Sequence, residues 1–259
     1  MEHMKQNVKK LAIASVATAI CAASANASLT ITDLNFTNVG GSGTPPTEGQ
    51  RDVSQLIDGS GVTLNGLGQQ IVEPSNPNGN QSNLLQQTGG LLIDLGSVQN
   101  VGALQIFNFN DQTGNSDFGP ASFDFYFTSN LSAVSGAPGA LQVADLSLFT
   151  QLADDQALQV NTVSGPVGGT VDALGETFTF GSISAADQAT IGDQTGVVDQ
   201  LSATSISARY LFLDDLNGTD SFSGRVGFAE IQVFGAVPEP SSTVLLGLGG
   251  LAFLLHRRK

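Results

Sequence analysis

Between residues 28 and 237 no stretch sustains a helical period. Short apolar-rich runs recur instead, cut by turn pairs at Gly40-Gly41, Pro45-Pro46, Asn78-Gly79, Gly89-Gly90, Gly168-Gly169 and Asn217-Gly218. In "SFDFYFTS" the alternation is strict. Phe123, Phe125 and Phe127 share one face, and Asp124, Tyr126 and Thr128 the other. "ETFTFGSI" repeats the pattern with Phe178 and Phe180. "VGALQIFNF", "ARYLFLD" and "RVGFAEIQVFG" are richer in apolar residues and read as more buried strands. The one helical signal is "SAADQATI" at 184–191, with Ser184 as its cap. Many short strands with frequent turns predict an all-β sandwich. The polar 40–90 stretch reads as long loops, and 135–175 as an insertion between core strands.

The N-terminal segment is of a different kind. Lys5, Lys9 and Lys10 precede an apolar run from Leu11 to Ala23, and Ala25-Asn26-Ala27 fits a small-x-small cleavage site. This is the pattern of a secretory signal peptide over 1–27, with Ser28 starting the mature chain. Ile20 stands before Cys21, where a lipoprotein signal needs a small residue, so lipidation is not expected.

Charge and residue types then restrict the chemistry. Segment 28–237 holds 21 acidic residues against three basic ones, Arg51, Arg209 and Arg225, a formal charge of −18. Such a surface repels nucleic acid and anionic membranes. The segment has no His, Cys, Lys or Trp, which removes Ser-His-Asp and Cys-His catalytic units, Schiff-base lysines, disulfides and Cys/His metal sites. Metal ligands must then be oxygens, the set that suits calcium. The chemistry left to an enzyme is paired-carboxylate glycoside hydrolysis, and no local motif singles out a pair. "DDLNGTD" lacks the Asp spacing and the closing Glu of an EF-hand.

At the C-terminus, Thr243–Leu255 is an apolar run of 13 residues, interrupted by Gly247, Gly249 and Gly250. As a helix it spans roughly 20 Å, short of a bilayer core of about 30 Å. Arg257, Arg258 and Lys259 would hold its end on the cytoplasmic side. "VPEP", the apolar run and the terminal "RRK" together resemble a PEP-CTERM sorting signal over 238–259. The resemblance implies that Pro238, Glu239 and Pro240, with the transmembrane helix and basic tail, are read by an exosortase. It also implies export across the inner membrane of an exopolysaccharide-producing bacterium, with transient membrane insertion by the C-terminal helix. The destination is then the cell surface, the outer membrane or the extracellular matrix.

Three separated stretches carry a second resemblance. "QLIDGSGVT" comes early, "LLIDLGSVQNVGALQIFN" with "ASFDFYFTSN" mid-chain, and "ARYLFLDDLNG" with "VGFAEIQVFG" last. Their order resembles the galactose-binding-like, discoidin or coagulation-factor C-type domain, across most of 50–235. The resemblance implies an eight-stranded jelly-roll β-sandwich over 28–237, with end loops that bind ligand. It implies a structural Ca²⁺ held by Asp58, Thr63 and Glu230. In "AEIQV", Ala229, Ile231 and Val233 share a face, which turns Glu230 toward the opposite one, near Phe228 and Phe234. There a carboxylate needs a cation, or an ion pair with Arg209 or Arg225.

Sugar-binding members stack an aromatic ring on the ligand, and with Trp and His absent the candidates are Phe118 and Phe222, then Tyr126. Asn115, Asp117, Asn217 and Asp220 would hold hydroxyls. The same rings would equally serve to close the ends of the core. The expected function is a non-enzymatic surface or matrix protein that binds exopolysaccharide or another glycan. A purely adhesive coat protein is the alternative, and a carboxylate-based glycoside hydrolase the remote one.

Overall fold

The computed structural model describes residues 28–37, 56–57, 62–64, 70–72, 82–84, 90–108, 119–158, 173–191, 198–218 and 226–236. In chain order the strands are β1 Ser28–Leu29, β2 Asp33–Thr37, β3 Val62–Leu64, β4 Gln70–Val72, β5 Ser82–Leu84, β6 Gly90–Asn108 and β7 Pro120–Thr128. They continue as β8 Val134–Ser135, β9 Gln142–Val143, β10 Thr150–Ala157, β11 Ala173–Leu174, β12 Glu176–Phe180, β13 Val198–Ser202, β14 Ile206–Gly218 and β15 Val226–Gly235. Among the described residues one α-helix, α1, spans Ala185–Ile191.

The chain folds as an all-β jelly-roll sandwich, and β6 is its pivot. Its first half pairs with β2 and β14, and its second half with β12 and β15. Both halves are buried, but the stretch 96–100 between them is largely exposed. Gly96 takes a φ of +77° there, in the left-handed region that suits glycine. β6 turns back at this corner. The Asn108 side chain donates to the Pro120 carbonyl at 3.0 Å, and Pro120 lies opposite Gly218 at the end of β14. The end of β6 thus returns to the pole from which Gly90 set out. This distal pole gathers Gly90, Asn108, Pro120, Leu158, Gly218 and Phe228. The proximal pole gathers Ser28, Asp33, Asp94–Asn100, Thr128 and Ala236.

The core lies between the two faces. Leu91, Ile93, Phe123, Phe125, Leu211 and Leu213 come from one, and Leu104, Ile106, Phe178, Phe180, Ile231 and Val233 from the other. Phenylalanines meet across the gap: Phe123 edge-on to Phe178 and Phe125 stacked on Phe180, both at 5.1 Å between centroids. Each such ring contributes about 1.5–3 kcal/mol on burial. The alternation in "SFDFYFTS" holds, with Phe127 partly buried beside its two neighbours.

Three readings of the sequence need correction. The 40–90 stretch is not loop throughout: β3 pairs with β4, and β5 with β15. In β15, Phe228, not Ala229, joins Ile231 and Val233 in the core, while Ala229 packs outside on Phe107. The register shifts between Phe228 and Glu230, and this irregularity breaks the period of two. Nor is 135–175 simply an insertion. β10 pairs with β7 at the edge of the main sheet, and two register shifts and exposure on its free side hide its alternation. The stretch before it, with β8 and β9, lays Ala133, Leu141, Val143 and Phe149 over the outer face at Leu92, Tyr210 and Phe212.

The short helix forms where expected. Ser184 Oγ accepts from the Asp187 amide at 2.9 Å and donates to Asp187 Oδ2 at 2.6 Å, closing its first turn. Ile191 then packs on Ala103 and Phe234.

Candidate binding site

The distal pole brings together the two connections that the sequence marks by their Gly-, Asn- and Asp-rich composition. One leaves β6 at Asn108 and returns at Gly119, and the other leaves β14 at Gly218 and returns at Val226. Pro120 and Gly218 are register partners, so both connections spring from adjoining strands. Asn108 locks this junction. It is buried, and its amide lies so close to Gly119 that a Cβ at 119 would collide with it.

Of the candidate ligand residues, Asn115, Asp117, Phe118, Asp220 and Phe222 lie outside the described residues. Asn217 stands opposite Ser122, next to the pole. Tyr126 is elsewhere. It sits on the outer sheet face, tilted against Phe212 at 6.2 Å, among acids. Its hydroxyl donates to Asp124 Oδ2 at 3.3 Å. Burial, together with the charges of Asp124, Asp214 and Asp154, pushes its pKa up to about 12, so it remains a donor. Asp124 and Asp214 face each other across β7 and β14, and Asp155 donates its amide to Asp124 at 2.8 Å. Burial raises the Asp214 carboxyl, partly offset by the Asp215 amide; Asp124 and Asp215 raise it further. Among the described residues no three His, Cys, Asp or Glu side chains gather as a metal cluster.

The calcium candidates divide similarly. Asp58 lies outside the described residues, and Thr63 is placed by its backbone in β3, opposite Ile71. Glu230 is 2% exposed and opposite Phe107 on the outer face. Val62, adjacent to Thr63, packs against Phe107 and Ala229, which brings β3 to the place where Glu230 emerges. Arg209 does not serve Glu230; it is committed to Asp94 through Nε–Oδ1 at 2.9 Å and NH2–Oδ2 at 2.9 Å. Arg225 lies outside the described residues.

Sequence reasoning missed a polar row on the same face. Gln105 is opposite Thr177 on one side and Gln232 on the other. Both amide atoms of Gln105, and Thr177 Oγ1, are buried with no hydrogen-bond partner among the described residues. Gln70 Oε1 is the same, and Gly175 presses against the Gln105 amide. A lone Gln in an apolar strand was the available signal, but only cross-strand register groups Gln105 with Thr177 and Gln232.

The sorting segment, 238–259, and the cleavage residues Ala25 and Ala27 lie outside the described residues. Among the described residues no helix is long and apolar enough to cross a membrane. Compared with known proteins, residues 236–259 match the PEP-CTERM protein-sorting motif, so the chain carries that motif at its C-terminal end. No curated protein matches the chain. Similar solved structures include truncated AlyQ with CBM32 and alginate lyase domains, at 15% identity and TM-score 0.39 over 83% of this chain and 35% of that one. The chain thus spans about a third of the length of truncated AlyQ. Another is the family 32 CBM from C. perfringens NanJ in complex with galactose, at 15% identity and TM-score 0.39 over 78% of this chain and 91% of that one. A third is the SusE-like protein BT2857, at 13% identity and TM-score 0.46 over 81% of this chain and all of that one.

Proposed function

We propose that this is an exported, non-enzymatic surface or matrix protein whose sandwich binds an extracellular polysaccharide at the distal pole. Export and sorting rest on the PEP-CTERM motif at 236–259. Processing by an exosortase, after brief insertion of Thr243–Leu255 in the membrane, is the role proposed for the C-terminal segment. The observation that carries binding is the pairing of the two polar connections at Pro120 and Gly218. Their Asn and Asp residues offer hydroxyl-binding groups, and Phe118 and Phe222 offer rings for a sugar face. The mature segment lacks the nucleophile–base units of most hydrolases, which favours binding over catalysis.

The same reading gives the sandwich a structural Ca²⁺. Three features support it: a buried carboxylate at Glu230, β3 packed beside it through Val62, and a segment 28–237 with no His or Cys, whose metal ligands must be oxygens. Glu230, Thr63 and Asp58 are the proposed ligands, and the ion would tie β3 to β15.

The test is binding of the exported, processed protein to a glycan panel and to exopolysaccharide, first with calcium and then with EDTA. Saturable binding to a defined sugar is expected, weakened by EDTA. Binding to none of them would sink the glycan reading and leave a coat protein acting through self-association.

A further inference from the structure

Both described ends of the sandwich leave from the proximal pole. Ser28 is the register partner of Phe234, and the Ala236 amide donates to the Asn100 carbonyl at 2.8 Å. The large apolar side chains that stand exposed among the described residues are Val98 at 51%, Leu131 at 59% and Leu148 at 38%. All three belong to this pole. Val98 lies on the β6 corner, two residues before Asn100. Leu131 follows Thr128 by three residues, and Thr128 Oγ1 donates to the Leu148 carbonyl at 2.8 Å. Thr128 in turn is level with Tyr210, and Tyr210 with Asp94. Among the described residues, three acids of this pole accept hydrogen bonds from within the protein. Asp33 accepts from Gly139, Asp145 from Ser147, and Asp94 from Arg209 and Gly96.

We infer that the proximal pole faces the lipid bilayer while the C-terminal tail is held there, with Val98, Leu131 and Leu148 turned to the membrane surface and the distal pole outward. This rests on the membrane-inserted tail of the reading above and adds the orientation. Chain length opposes the inverse. Thr243, where the apolar run begins, lies seven Cα steps after Ala236. Fully extended, they reach at most about 25 Å. β15 alone, from Val226 to Gly235, sets the poles about 30 Å apart. An inverted sandwich would lift Ala236 farther from the bilayer than its tether extends. The apolar side chains therefore lie where lipid can cover them, and the polar connections where a glycan can reach them.

The mature segment has no cysteine, so a single introduced one reports its own position. Full-length protein with Cys21 replaced by Ser, carrying Val98→Cys, Leu131→Cys or Ala157→Cys, is labelled with a fluorophore and reconstituted into phosphatidylcholine vesicles with nitroxide-bearing headgroups. Ala157 is exposed at the distal pole, where it pairs with Ser122. Quenching several-fold stronger at 98 and 131 than at 157 is expected, and it should vanish when protease cuts before residue 243. Equal quenching at the three positions, or stronger quenching at 157, overturns the orientation. Vesicle flotation is read separately. Protein that does not float overturns the inserted-tail reading, and the orientation falls with it.

Discussion

Arg209 in β14 grips Asp94 in β6 with both arms of its guanidinium, at 2.9 Å for each contact. Asp94 Oδ1 also accepts from the Gly96 amide at 2.7 Å, and its backbone carbonyl accepts from Thr32. The pair therefore pins the corner at which β6 passes from one face of the sandwich to the other. Arg209 further lies over the Tyr210 ring, 5.0 Å from its centroid.

Arg209→Lys is expected to lose about 1–2 kcal/mol, because an ammonium cannot make the two parallel bonds and charged hydrogen bonds contribute more than neutral ones. Urea unfolding measures it. An unchanged midpoint would show that the fork does not hold the corner.

Gly119→Ala places a methyl group against the Asn108 amide and should break the bond from Asn108 to Pro120. Lower thermal stability and weaker glycan binding are expected together. Asn108→Ala in the same chain should restore part of the stability but not the binding. If the double variant is no more stable than Gly119→Ala alone, the collision is not the cause.

Asp214 has a raised pKa in the folded protein, chiefly from burial, then from Asp124 and Asp215 against the offset of the Asp215 amide. The folded state therefore holds its proton more tightly than the unfolded chain does. Its charged form costs stability at neutral pH, and that cost disappears as pH falls through the folded pKa toward the ordinary 3.8. Asp214→Asn should raise stability at pH 7 and leave it nearly unchanged below the ordinary value. A variant that is less stable at pH 7 would mean that the carboxylate has a favourable partner in the working protein, a bound cation above all.

Gln105 buries both amide atoms with no partner among the described residues, a cost of about 1–3 kcal/mol for each stranded group. Gln105→Met keeps the volume and removes the amide. Its urea midpoint is expected to rise. A fall would reveal that the amide is satisfied by bound water or by a cation shared with its neighbour Thr177.

Much of the fold is legible in the chain because strand alternation and turn chemistry are local. Phe123, Phe125, Phe178 and Phe180 announce their shared side by period alone, and Ser184 announces its helix by a cap three residues from its partner. β15 resisted, since an irregularity at Ala229 swaps which residues face inward and carries no local signature. β10 resisted because an edge strand has one hydrogen-bonded neighbour and little buried surface to impose a pattern. At the candidate site, composition marked the two loops, while their adjacency needed the register of Pro120 with Gly218.

The sequence by itself determined the address and the permitted chemistry. A sorting motif is read as a linear segment, and a missing residue type is missing in any fold. The tertiary structure alone decided that Arg209 belongs to Asp94, that Gln105 meets Thr177, and that both described ends of the sandwich, Ser28 and Ala236, lie at the pole opposite the paired strand ends Pro120 and Gly218. Those are long-range pairings. They follow from which strands find each other when the chain buries its phenylalanines, and no local pattern in the sequence encodes them.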